Sequence, residues 1–511
     1  MVDAALPPLI QQMMQPEFYS HPVSETIELI QTHVSYVLLT GEFAYKLKKP
    51  VDFGFLDYST LEKRQHFCHE ELRLNRRAAA PIYLEVMAIA QAGDRFYLAE
   101  GEDAAVEYAV KMRQFPQSAL LSHLFEQGEL TVELLQRLAE TIAEFHAEAK
   151  TDAHIRSFGE IAQIRASIDE NYAQTQGFIG GPQTQTQFEQ TKAYTDRFFA
   201  QEQALFQQRI EQDRIRACHG DLHLNNICLW QDQLYLFDCI EFNEPFRFVD
   251  VMFDIAYIVM DLEAGDRPDL RTAFLNHYAE QTGDWAGLEI LPLYVSRQSY
   301  VRAKVTSFLL NDPSVSAAEK TKASQKAAPY YRLAWQYAQP QQGRIFVMSG
   351  LSGSGKTTAA RQLAQQTGAV HLRSDAVRKH LAGVPLTERG GDEIYTAEMS
   401  QKTYNRLLDL GIRLAQRGYP VILDAKYDRQ ERRQSVIAQA EAKQIPLQIL
   451  YCDTPKAIMQ QRLQQRTNDI ADATSDILAQ QSMEPFGPAE QPYVKTIDTT
   501  QDLTPQLRAI A

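Results

Sequence analysis

The most restrictive feature of this 511-residue chain is one octapeptide, Gly350-Leu351-Ser352-Gly353-Ser354-Gly355-Lys356-Thr357, which fits the pattern GxxxxGK[ST]. Its flanks tighten the constraint. An apolar run, Ile345 to Met348, precedes it, and a stretch of helical character from Thr357 and Thr358 follows until Gly368. Strand, glycine turn and helix in this order predict a parallel α/β unit, with the strand delivering the turn to the head of the helix. The glycines let backbone amides from Gly350 to Thr358 turn inward around phosphate oxygens, and the helix N-terminus adds partial positive charge. Lys356 would neutralise β- and γ-phosphates, and the Thr357 hydroxyl would ligate Mg²⁺. The expected ligand is a nucleoside triphosphate, ATP by preference, with Mg²⁺.

A chain of this length exceeds one ordinary core, so two domains are expected. The polar stretch Ala338-Gln-Pro-Gln-Gln-Gly343 marks the boundary, giving domains at 1–338 and 344–511. Charge supports the cut. Residues 339–511 hold 21 basic and 18 acidic side chains, or +3 of a total of −14, which leaves −17 for the residues before them. An N-terminal domain this acidic would repel a polyanion, so nucleic acid is an unexpected partner there and stays open for the C-terminal domain. A small-molecule acceptor fits better. No apolar run approaches the roughly 18 residues of a membrane span, and residues 1–15 lack a secretory pattern, so a cytoplasmic protein without membrane contact is expected. The five scattered cysteines lack CxxC spacing and read as buried thiols. Oligomeric state is left open by the sequence.

Three further C-terminal features suit phosphoryl transfer. Strand Val370–Leu372 leads to Ser374-Asp375-Ala-Val-Arg378, a carboxylate and a guanidinium one helical turn apart at a strand end. The pair could activate an acceptor hydroxyl and clamp the moving phosphate, although an Asp at a helix start can also be only a cap. Val421-Ile-Leu-Asp424 ends a buried-type strand in a carboxylate suited to Mg²⁺. Arg462 and Arg466, four apart on a helix, could close over developing charge or simply face solvent. Together these residues resemble the P-loop kinase group that includes zeta-toxin-like, chloramphenicol-phosphorylating and polynucleotide 5′-kinases.

The N-terminal domain carries its own constellation. Cys218-His219-Gly220-Asp221-Leu222-His223-Leu224-Asn225-Asn226 contains HxDxxxxN, and Asp238-Cys-Ile-Glu241 follows beyond a short strand. Asp221 can orient or accept a hydroxyl proton, and Asn226 and Asp238 are hard oxygen donors for Mg²⁺. These motifs resemble the aminoglycoside phosphotransferase-like family. The resemblance implies an α+β bilobal protein-kinase-like fold, with a small lobe at about 1–112 and a large lobe at about 113–338, ahead of the α/β P-loop NTPase with its parallel sheet. It also implies a phosphate-binding lysine on a small-lobe strand and a glutamate partner on a helix. Lys46 and Lys48 share one face of Phe43–Lys48, with Lys46 preferred and Lys48 the alternate. Glu71 lies beside the apolar stripe of the helix expected to start at Ser59, with Glu62 completing a capping box. No GxGxxG loop precedes the lysine strand. Asp250 and Asp254 are expected to cap or brace the helix they precede, and His146 to end its own helix. The Gln-rich stretch 174–190 reads as loop or frayed helix.

The sequence as a whole therefore predicts an ATP- and Mg²⁺-dependent phosphotransferase with an alcohol group as acceptor. An N-terminal nucleotide sensor beside a catalytic P-loop half is the alternative, and a non-catalytic adaptor the third reading.

Overall fold

The computed structural model of the chain describes residues 6–24, 26–99, 101, 104–465, 470–472 and 478–510. The chain divides into one unit of residues 1–130, 144–261 and 293–337 and a second of residues 131–143, 262–292 and 338–511.

In the first unit, β1 (Glu28–Gln31), β2 (Ser35–Leu39), β3 (Phe43–Lys48), β4 (Tyr83–Ala92), β5 (Arg95–Ala99) and β6 (Ala105–Arg113) form one sheet in the order β1-β2-β3-β6-β4-β5. Every pairing in it is antiparallel. Alternation along β3 sends Tyr45 and Leu47 into a cluster with Ile10, Met13, Leu38, Ile89 and Ala109. Lys46 and Lys48 therefore point to the opposite face, which is covered by the helix Leu61–Ala79. That helix is capped by Thr60, whose hydroxyl accepts from the Lys63 amide. The cap thus falls one residue after the expected Ser59, which is instead bonded to Asp57, and with Lys63 at the third helical position it is a single cap and not a box.

The helical part of this unit holds two small ladders. β7 (Ile215–Ala217) pairs with β10 (Phe248–Asp250), and β8 (Ile227–Trp230) with β9 (Gln233–Leu236). The segment 218–226 is the connection from β7 to β8, so the ladders hold it at both ends. The Gln-rich stretch is better ordered than its composition suggested. A helix spans Gln185–Gln201, started by a reciprocal capping box between Thr184 and Gln187.

In the second unit, β11 (Arg344–Ser349), β12 (Val370–Arg373), β13 (Pro420–Asp424), β14 (Leu447–Asp453) and β15 (Val494–Asp498) form a wholly parallel sheet, order β12-β13-β11-β14-β15. Ile345–Met348 and Val421–Leu423 are buried throughout, as expected of strands covered on both faces. The helix Lys356–Thr367 returns over Phe346, Met348 and Ile422 through Ala359, Ala360 and Leu363. It ends at Gly368 in the left-handed region, φ 69°. Parallel order brings the C-terminal ends of β11, β12 and β13 to one edge of the sheet, with Gly350, Arg373 and Asp424 there.

The second unit also includes residues 262–292, which lie upstream of a cut at 338. The physical reason is visible at the sheet edge. Asn276, on the helix Pro268–Thr282, accepts from the His371 amide (2.9 Å) and donates to the Ala369 carbonyl (2.9 Å), occupying the free side of β12. Among the described residues no helix is long and apolar enough to cross a membrane. All five cysteines are free and buried.

Candidate active sites

The first site grows from the lysine face of β3. Glu71, fully buried on the facing helix, receives both lysines: Lys46 Nζ lies 2.8 Å from Oε1 and Lys48 Nζ 2.7 Å from Oε2. Each lysine has a second carboxylate, Asp238 for Lys46 and Glu241 for Lys48, and Glu241 also accepts from the Tyr58 hydroxyl. Lys46 and Lys48 therefore belong to one ion-pair network. Burial works against the Lys46 ammonium, yet Asp238 and Glu71 together hold its pKa well above the ordinary value. The Asp238 carboxyl is likewise favoured toward neutrality by burial, but Lys46 outweighs this and keeps it below its usual range. Three carboxylates against two ammoniums leave this cluster one negative charge in excess, and Asp238, 45% exposed, is its outward member. Glu70 is turned away and pairs with Arg73.

Asp221 stands in the loop between β7 and β8. His223 Nε2 lies 3.3 Å from its Oδ2. The Asn226 amide donates to the Asp221 carbonyl at 3.0 Å. Desolvation would raise the Asp221 pKa, but His223 lowers it on balance, so the carboxylate is ionised and able to take a proton. Gly220 has φ 88°, and a Cβ there would lie 2.7 Å from the Phe246 carbonyl oxygen.

The group that shapes this loop is one for which the sequence suggests another role. Asp254, fully buried, accepts from the amides of His219 (2.9 Å) and Gly220 (2.8 Å) and from His146 Nε2 (3.1 Å). It braces the loop and not its own helix, and His146, in the last turn of the helix Val132–Glu148 as expected, is its buried partner. The signal was present as an acid inside the apolar run Val251-Met-Phe-Asp254-Ile-Ala. Asp250 does both jobs, accepting from the Met252 amide (2.9 Å) and closing a buried pair with Arg209 (2.7 Å).

The second site is a cavity of about 1040 Å³ over the C-terminal edge of the parallel sheet. Ser352, Gly353, Gly355, Lys356, Thr357 and Thr358 line one side, and Asp375, Arg378, Asp424 and Arg462 also face it. Gly350 (φ 142°) and Leu351 lead into the loop, and the carbonyl of Ser354 is anchored from behind by Thr454 (3.0 Å) and Thr499 (2.7 Å). Gly355 has φ 86°, and a Cβ there would lie 2.8 Å from Thr499 Oγ1. Gln481 spans the loop crest, accepting from the Ser352 amide (3.0 Å) and donating to its hydroxyl (3.1 Å). Lys356 Nζ rests on the Leu351 carbonyl at 2.8 Å. Burial pulls its ammonium below the ordinary pKa, and Asp424 and Asp375 offset this only in part.

Arg378 is nearly buried and donates to the Ile394 carbonyl (3.0 Å) and the Ser400 hydroxyl (3.3 Å), beside the Tyr395 ring. Arg462 is less free than a closing lid arginine would be, since its guanidinium is tied to Thr499 at Oγ1 (2.8 Å) and O (2.7 Å). Arg466 lies outside the described residues. Thr454, Thr499 and Gln481 carry no local signal in the sequence, since they reach the loop from 100 positions away or more.

Asp424 receives His371 Nε2 at 2.9 Å, both side chains being buried. Burial would raise its pKa, but His371, Lys356 and Arg373 lower it to about 2 from an ordinary 3.8. A depressed carboxyl stabilises the fold above its unfolded pKa and ceases to do so as pH falls through the folded one. Asp424 therefore contributes about 2 kcal/mol that is complete above roughly pH 4 and disappears toward pH 2. Unfolding free energies measured from pH 7 to 2 should show this loss, and His371→Gln should diminish it. An acid limb identical in the two proteins would refute the assignment.

Two regions of the chain match known protein families. Residues 62–291 match the phosphotransferase enzyme family, and residues 345–485 match an AAA domain. The chain joins a phosphotransferase-family domain to a P-loop domain. Uncharacterized proteins of Mycobacterium tuberculosis and Mycobacterium bovis are each 29% identical over 466 residues, covering 90% of this chain and 91% of the relative. A choline/ethanolamine kinase family protein from Mesorhizobium loti is 10% identical, covering 64% of this chain and 97% of its own, with TM-score 0.38. An APS kinase of Mycobacterium tuberculosis, solved with AMPPNP and APS, is 19% identical, covering 34% of this chain and 96% of its own, with TM-score 0.26. The phosphotransferase-family domain thus contains the Asp221 loop and Asp238, and the P-loop domain the 1040 Å³ cavity.

Proposed function

We propose that both halves, residues 1–338 and 344–511, bind ATP and transfer its γ-phosphate to hydroxyl groups of small molecules. The observation that carries this reading is the cavity in which the P-loop, Lys356, Asp375, Arg378 and Asp424 face a common space. Its loop amides and Lys356 would hold the triphosphate, and Asp375 would take the acceptor's proton. In the N-terminal half Lys46, kept charged by Glu71 and Asp238, would neutralise phosphate, and Asp221 would serve as base. Magnesium suits both donor sets of hard oxygens, Thr357 with Asp424 and Asn226 with Asp238, and when bound would screen the charge on the phosphates. The protein would act in the cytoplasm, on acceptors that are not nucleic acid in the N-terminal half.

Lys356→Ala should lower phosphoryl transfer by the P-loop half about 10²–10³-fold, the scale for removing one preorganised contact to transition-state charge. Transfer of radiolabelled phosphate from γ-labelled ATP by the full chain, with the N-terminal half silenced by Asp221→Asn, would measure it. Undiminished transfer would refute the role of the loop. One observation favours a second reading in which the N-terminal half binds nucleotide without transfer. The turns beside its lysine strand, Thr32-His33-Val34 and Thr40-Gly41-Glu42, contain a single glycine, and the Gly41 amide is already bonded to Gln114 (2.8 Å). Tight AMP-PNP binding by full-length Lys356→Ala protein that transfers nothing would establish that alternative.

A further inference from the structure

Residues 1–338 carry −17 in total, yet the helix Leu291–Ser307 brings three cations, Arg297, Arg302 and Lys304, to the neighbourhood of Asp221. Arg302 faces Asp261 at 3.9 Å, and Asp261 also accepts from the Leu224 amide (2.9 Å). Arg297 is different. Its Nη1 donates to Gln298 Oε1 (2.6 Å) and its guanidinium carbon lies 4.8 Å from the centre of the Phe253 ring. Its Nε is buried without a partner, and among the described residues no carboxylate stands within ion-pair distance of it. Burial pulls its pKa down, and Tyr257 and Asp221 are among the groups that offset this, so Arg297 and the Asp221 carboxylate feel one another.

Lys304 follows two helical turns later on the same face and donates to the side-chain carbonyls of Asn171 (2.6 Å) and Gln174 (2.9 Å). Burial lowers its pKa, the Arg297 charge lowers it further, and Glu170 acts on it only from beyond ion-pair distance. Arg209 shows how a buried guanidinium in this unit is ordinarily satisfied, by the two oxygens of Asp250 at 2.8 and 2.7 Å. Arg297 lines a cavity of about 60 Å³ with Ser167, Phe246, Phe253 and Tyr294, and the acid in that lining, Asp250, is committed to Arg209. Such a cavity has room for a small oxyanion.

A guanidinium keeps its charge under all ordinary conditions, and two like charges withdrawn from water without a counter-ion are unfavourable. A ligand oxyanion removes that disadvantage, and the planar fork matches carboxylate or phosphate by two parallel hydrogen bonds.

We propose that the acceptor of the N-terminal half is an anion, a hydroxyl compound whose carboxylate or phosphate is bound by Arg297 with added charge from Lys304, and whose hydroxyl reaches Asp221. This rests on the reading of that half as a phosphotransferase. The acceptor oxygen forms a bond to the γ-phosphorus, the bond to the β–γ bridging oxygen breaks with its electron pair leaving on ADP, and the hydroxyl proton passes to Asp221.

The test uses full-length protein saturated with AMP-PNP and Mg²⁺ and titrated calorimetrically, at constant ionic strength, with four alcohols of one skeleton: 6-hydroxyhexanoate, 6-hydroxyhexyl phosphate, 1,6-hexanediol and 6-amino-1-hexanol. One of the two anions is expected to bind at least as tightly as the other and more tightly than the diol or the amine, and the tighter one identifies the group as carboxylate or phosphate. Arg297→Gln should weaken it about 10–100-fold, the scale of lost hydrogen bonds to a charged group. Lys304→Gln should weaken it about 3-fold and guards against misfolding of the first variant. No anion binding, binding unaltered in both variants, or preference for the diol or the amine would overturn the proposal alone. If the bound anion takes no label from γ-labelled ATP in a reaction that Asp221→Asn abolishes, the phosphotransferase reading falls and the proposal with it.

Discussion

Replacing Asp254 by Ala is expected to destabilise the first unit by about 3–5 kcal/mol, although Asp254 has no part in the proposed transfer. The carboxylate satisfies two loop amides and His146 in a fully buried setting, and Ala would take this acceptor from both amides and one bond from His146. Asn would retain one acceptor oxygen and should cost less. Denaturant unfolding of the full chain would separate the two substitutions, with the larger midpoint shift in Asp254→Ala. Equal midpoints for wild type and Ala would mean that the loop holds its shape without the brace.

Asp221→Asn carries the largest expected effect on chemistry. Asparagine preserves the shape and the contact with Asn226 but cannot take a proton, so transfer by the N-terminal half should drop about 10²–10⁴-fold while nucleotide affinity stays near that of the wild type. Transfer assays on full-length protein whose P-loop half is silenced by Lys356→Ala would isolate that half. Retained turnover would show that Asp221 orients its loop and nothing more. The two substitutions are complementary, since Asp254→Ala should lower stability and activity together and Asp221→Asn activity alone.

The parts of these sites legible in the sequence were those that depend on short-range order. Alternation placed Lys46 and Lys48 on one face of β3, and the spacing of the P-loop and the strand before it placed the turn between β11 and the helix Lys356–Thr367. Long-range partners were harder to see. Glu71 could be chosen over Glu70 from helical phase, but nothing nearby indicated that one carboxylate would serve two lysines while Asp238 and Glu241 served one each. Asp254 reads as a local cap or brace because an acid before an apolar helix usually is one, whereas its buried carboxylate serves the amides of His219 and Gly220. Arg462 lines the cavity, but its tether Thr499 lies beyond β15 in the chain, out of reach of any local pattern.

The amide of Asn276 also determines how the P-loop unit can be handled as a piece of protein. By filling the hydrogen-bonding side of β12 it closes a sheet edge that would otherwise recruit a strand from another molecule. A fragment beginning near residue 338 would lack the helix that carries this side chain and present a raw, zipper-prone border, so self-association of such a fragment would report the missing helix and not a natural oligomer.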